Sequence, residues 1–122
     1  MEYTSTLRRE SATLPGVSFT IARMSLGRRL ELAQQIREIG LKAEFLSAST
    51  DPRDQVDLAV IERKIECLYL QWGLVTVDGL LIDGEPATRQ SLIERGPETL
   101  TNEILTCLRG EIALSEEERK NS

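Results

Sequence analysis

The stretch "DPRDQVDLAVIERKIECLYLQWG", Asp51 to Gly73, decides the fold. Leu58, Ile61, Ile65, Leu68 and Trp72 recur in it at spacings of three, four, three and four, which is the period of one face of an α-helix. Asp51 suits the N-cap, and Pro52 the first helical position, where its missing N–H costs no hydrogen bond. Gly73, directly after Trp72, is expected to take the left-handed conformation that ends such a helix. A stripe of this kind usually packs a core. An intermolecular seam through Leu58, Ile61 and Ile65 is its competing use.

Upstream, "SASTDP" breaks the pattern. Before it, Leu32, Ile36, Ile39, Ala43 and Leu46 form a second stripe. It predicts a helix over residues 26–47, with Ser25 as N-cap. Gly40 interrupts this helix, either bending it or letting another helix approach. Two long helices joined by a short turn make an antiparallel hairpin. Earlier still, Val17, Phe19 and Ile21 alternate with Ser18, Thr20 and Ala22 as in a half-buried strand. Residues 1–16 are polar and close on Pro15-Gly16. They read as a flexible arm, or as an extended segment that orders on a partner.

Downstream, "LVTVDGLLID" returns to an extended period, with Asp78-Gly79 at the middle. This predicts a small hairpin, or two short extended arms, over residues 74–84. Asp83-Gly84 turns the chain again. Thr88 caps a short helix from Arg89 to Arg95, Gly96 ends it, and Pro97 begins the last helix with Glu98 at its positive end. Leu100, Ile104, Leu108 and Ile112 give that helix its buried face. Ser115 and Glu118 form a capping-box pattern, but residues 113–122 have no apolar face and read as a polar, frayed tail. The expected fold is therefore mainly α, of the α+β class. It has a long helical hairpin, a short β-strand or hairpin element and two C-terminal helices, in one domain over residues 17–112.

Composition narrows the chemistry. The 122 residues are 40% apolar but only 4% aromatic, so Leu, Ile, Val and Ala must build the core, and stacking platforms for bases are scarce. Residues 1–64 hold ten Lys/Arg against nine Asp/Glu, whereas residues 65–122 hold five against eleven. The net of −5 argues against general nucleic-acid binding, which needs a cationic surplus. The acidic second half beside a near-neutral first half suits either solubility or an oriented contact with a basic partner. No secretion signal or membrane-length apolar run is present, so a cytoplasmic location is expected. Cys67 and Cys107 then read as reduced core residues.

There is no histidine, which removes imidazole-activated nucleophiles and imidazole metal sites. Asp78, Asp83 and Glu85 are the best carboxylate group for a metal or an acid–base pair. Their Asp-Gly neighbours make turn chemistry the stronger reading. Gly79, Gly84 and Gly96 are too scattered to cradle phosphate. Arg23, Arg28 and Arg29 gather near the start of the first helix, either as an anionic-partner surface or as a solvated face. No catalytic residue, cofactor or metal ligand is expected.

The segment "WGLVTVDGLLIDGEPATRQSLIERGPETLTNEIL", with "LSEEERKNS" after it and "MSLGRRLELAQQIREIG" and "IERKIECLYLQWGL" before, resembles tail assembly chaperones of long-tailed bacteriophages and prophages. The likeness spans residues 17–122. It implies a small, mainly helical, self-associating protein of the bacterial cytoplasm. Such a protein holds the tape measure protein while major tail (tube) subunits polymerise around it, and it is absent from the finished virion. It also implies that the polar end is the junction to a longer frameshifted product. No single residue's role carries over. A structural or adaptor subunit of a phage particle or bacterial complex is the alternative, and a histidine-free enzyme using Asp78, Asp83 or Glu85 a third.

Overall fold

The computed structural model describes residues 1–120, with side chains as far as Ala113. Two long helices, α1 (Leu26–Ser47) and α2 (Pro52–Gly73), form the expected antiparallel hairpin. Around its base lie strands β1 (Thr6–Glu10), β2 (Ser18–Ala22) and β3 (Leu74–Asp78). A small hairpin of β4 (Leu81–Ile82) and β5 (Glu85–Pro86) follows, then helices α3 (Arg89–Arg95) and α4 (Glu98–Lys120). The α+β class and its main elements are as the sequence predicts.

Local chemistry starts each helix where it should. Ser25 accepts from Arg28 N at 3.2 Å, and Asp51 from Arg53 N at 2.9 Å with Pro52 next to it. Thr88 and Ser91 exchange bonds in a full capping box.

The sheet departs from expectation. Its order is β1-β2-β3, all antiparallel. Thus β3 pairs with β2 and β4 with β5, so the segment around Asp78-Gly79 joins two extended arms and does not close a hairpin. The reason is burial. Pairing β3 with β2 sets Leu74 opposite Ile21 and Val77 opposite Phe19, and all four are buried in the main core. The tight hairpin sits one step on, where Asp83 (φ 53) and Gly84 (φ 82) are both left-handed. A two-residue turn with the twist of the strands requires that pair of conformations.

The supposed arm is also partly built into the fold, since Thr6–Glu10 forms β1 along β2. The loop after it is held by α4. Glu103 accepts from Ser11 Oγ at 2.6 Å, Ala12 N at 2.7 Å and Thr13 Oγ1 at 2.9 Å. Two turns on, Glu111 accepts from Met24 N at 3.1 Å. Two carboxylates of one helix thus hold the chain on both sides of β2. Burial pushes the Glu103 carboxyl up, but the bonds from Ser11, Ala12 and Thr13 outweigh it and leave the value below the ordinary 4.5. A lowered folded-state value means stabilisation that is present above the unfolded value and disappears as pH falls through the folded one. The stability difference between wild type and Glu103→Gln is therefore expected to shrink towards zero as pH drops below 4.5. Denaturation midpoints measured from pH 7 to pH 3 check this, and a constant difference would refute it.

One core fills the base of the hairpin. Phe19, Ile21, Leu74, Leu92, Leu100, Ile104 and Leu108 are its largest fully buried side chains. Gly73 serves this core and not a left-handed cap. Its φ is not positive, the chain passes directly into β3 through Leu74 (φ −83, ψ 122), and a Cβ at Gly73 would collide with Leu108 Cδ2. At Gly40, by contrast, a Cβ would meet nothing within 4 Å, so no close helix contact depends on it. The backbone of α4 continues to Lys120, which makes most of the predicted polar tail helical. Ala, Leu, Glu, Arg and Lys are strong helix formers that need no apolar face. Asn121 and Ser122 lie outside the described residues.

Candidate interaction surface

The arginines near α1 do not form one open cationic patch. Arg28 turns onto the end of α2, where it donates to Trp72 O at 2.7 Å and lies over the Trp72 ring at 5.0 Å. It also pairs with Glu31 at 3.2 Å. Trp72 Nε1 donates back to Arg28 O at 3.1 Å. From the other side, Arg89 donates to Gln71 O at 2.8 Å and to Leu74 O at 3.1 Å. The last turn of α2 has no basic residue of its own, so two cations from other elements neutralise its negative pole. Arg23 lies over the Tyr3 ring at 5.7 Å. Arg29 is half-buried and engaged as well. Arg28, at least, is a structural residue.

Of Leu58, Ile61 and Ile65, only Ile61 is withdrawn from solvent, and the other two are half-buried. Ile61 and Leu46 are each buried outside the main core cluster.

The uncovered apolar surface lies on other faces. On α1, Leu26 (88% exposed), Leu30, Leu41 and Phe45 (76%) stand at spacings of four, eleven and four. By helical geometry they share the side opposite Leu32, Ile36 and Leu46. On α2, Val56 and Val60 are exposed one turn apart. Beside Val60 lies a groove of about 480 Å³ between the helices, lined by Ile39, Val60, Arg63, Lys64, Cys67, Leu68 and Gln71. The only charged groups at its edge are cationic. The stripe of Leu26, Leu30, Leu41 and Phe45 is legible in the sequence as a second helical period on α1, beside the one that meets α2.

The sheet edges are less inviting. Ser11 N bonds Val17 O at 2.8 Å and Arg23 N bonds Ser5 O at 2.9 Å, so odd residues of β2 turn their ladder groups towards β1. Ser18↔Asp78 and Thr20↔Thr76 are then the bonded rungs to β3. On the free edge of β3 this leaves Val77 and the Leu74 carbonyl that Arg89 already occupies. The register slips at Thr20/Ile21, which makes Val75 a bulge and further blunts that edge. The outer edge of β1 carries Arg8, Arg9 and Glu10, charges that discourage strand addition.

Asp83 is bound by Arg95 at 2.7 Å on the surface, and Asp78 and Glu85 are exposed. No three His, Cys, Asp or Glu gather to hold a metal among the described residues. Nor is any helix among them long and apolar enough to cross a membrane. Cys67 and Cys107 are free thiols and half-buried. Burial pushes the Cys107 thiol up, with Glu103 adding to that and Arg9 opposing it.

Set against family models, curated proteins and solved structures, the chain matches none of them.

Proposed function

We propose that this chain is a tail assembly chaperone of a long-tailed phage or prophage, a binding protein without catalysis. It holds the tape measure protein in the bacterial cytoplasm while the major tail protein polymerises, self-associates as it does so, and leaves before the virion is complete. The reading starts from the resemblance across residues 17–122. The structural observation that supports it is the exposed apolar surface of the helical hairpin. Leu26, Leu30, Leu41, Phe45, Val56 and Val60 are all large, apolar and exposed. Exposed apolar side chains that share a helix face, as Leu26, Leu30, Leu41 and Phe45 do on α1, are candidates for a protein contact.

Co-expression with the tape measure protein encoded beside it tests this directly. The expected result is co-purification of the two, with the present chain missing from purified mature particles. Retention in mature particles would favour a permanent structural or adaptor subunit instead. A monodisperse monomer that ignores both the tape measure and tail-tube proteins would overturn the assembly reading altogether.

A further inference from the structure

We propose that the groove between α1 and α2 binds an α-helix whose apolar stripe is flanked by carboxylates. The natural identity of that partner rests on the assembly reading above, but the surface and its chemistry are argued independently.

Three observations select this occupant. First, the floor of the groove is apolar, made by Ile39, Val60, Leu68 and the Cys67 side chain, so it can be filled only by apolar groups. Second, its charged lining is Arg63 and Lys64 with no carboxylate, in a chain whose net charge is −5. Arg63 is partly neutralised by Glu66 at 2.8 Å, whereas Lys64 makes no ion pair among the described residues. An approaching stripe gains if it is edged with acid and loses if edged with base. Third, the groove runs along helices whose backbone groups are already bonded within themselves, so the partner contributes side chains and not a ladder. Along α2 the groove runs from Val60 through Cys67 to Gln71. That is about 16 Å at 1.5 Å per residue, the length of a three-turn helix.

The test uses two synthetic 20-residue helices with the same leucine stripe, one flanked by Glu and the other by Lys. Each is titrated into the full chain, with binding read by anisotropy and by alkylation of Cys67 followed peptide by peptide. The Glu helix is expected to bind at least about tenfold tighter than the Lys helix and to protect Cys67. Lys64→Glu should reverse that preference, a swap that general damage to the fold does not produce. Val60→Glu should abolish binding of both helices, with circular dichroism confirming that the chain remains folded. Equal binding of the two helices, or unchanged Cys67 alkylation, would overturn the proposal. So would a wild-type dimer that Val60→Glu converts to monomer, because a second copy would then fill the groove. Pull-down of the tape measure protein separates the two claims. If the Val60→Glu chain still retains it, the groove is the wrong surface and the assembly reading stands. If the wild type ignores it yet binds the Glu helix with the stated preference, the groove stands and the assembly reading fails.

Discussion

Trp72→Ala is expected to cost about 3–5 kcal/mol of folding stability, a large share of the 5–15 kcal/mol typical of a domain. Trp72 is 4% exposed, and its removal empties the junction of α1, α2 and β3. It also strips Arg28 of the ring beneath it and leaves Arg28 O without its indole donor. Trp72→Phe separates these contributions. It keeps most of the apolar volume and should cost only about 1–2 kcal/mol, mainly the lost N–H bond. Arg28→Ala should cost about 1–3 kcal/mol, through the cation–π contact and the charged bond to Trp72 O. Arg28→Lys should recover only part of this, because an ammonium lacks the planar fork that stacks and donates together. Urea denaturation of the single and double variants measures the coupling. Additive losses at positions 28 and 72 would show that the contact contributes nothing of its own.

The second large effect is expected at Gly79. Gly79 (φ 81) and Gly84 (φ 82) share a left-handed backbone, so alanine at either carries the same strain of roughly 1–2 kcal/mol. Their surroundings differ. A Cβ on Gly84 would meet nothing within 4 Å, while one on Gly79 would strike the Gly16 carbonyl. That obstacle is backbone, in a loop already fixed by Glu103, and cannot swing aside as a side-chain tip does. Gly84→Ala should therefore cost about 1–2 kcal/mol, and Gly79→Ala about 3 kcal/mol or more once the overpacking is added. Thermal melts of the two variants side by side read the difference. Equal shifts would mean that the Gly16 loop yields freely.

The features that were legible in the sequence are those written within one turn of chain. Ser25, Asp51 and Thr88 cap helices because a side-chain oxygen and an amide two or three residues on are neighbours in any fold. The stripe Leu100, Ile104 and Leu108 was legible for the same reason. What escaped depends on residues far apart. That β3 prefers β2 to its own successor follows from Phe19 and Ile21, more than fifty residues earlier. The use of Gly73 follows from Leu108, and the inward turn of Arg28 from Trp72. Gly73 and Arg28 each carried a sound local reading, as a cap and as part of a basic patch. Tertiary contact replaced both.

The way α2 ends also sets what can be moved elsewhere. Its terminal carbonyls depend on Arg28, from inside the hairpin, and on Arg89, fifteen residues beyond Leu74. A transplant of residues 26–73 into a foreign scaffold would carry only one of the two cations and neither Leu108 nor β2. The hairpin looks like a portable module, but its foundation belongs to the rest of the chain. A graft must bring α3, α4 and the sheet with it to stand.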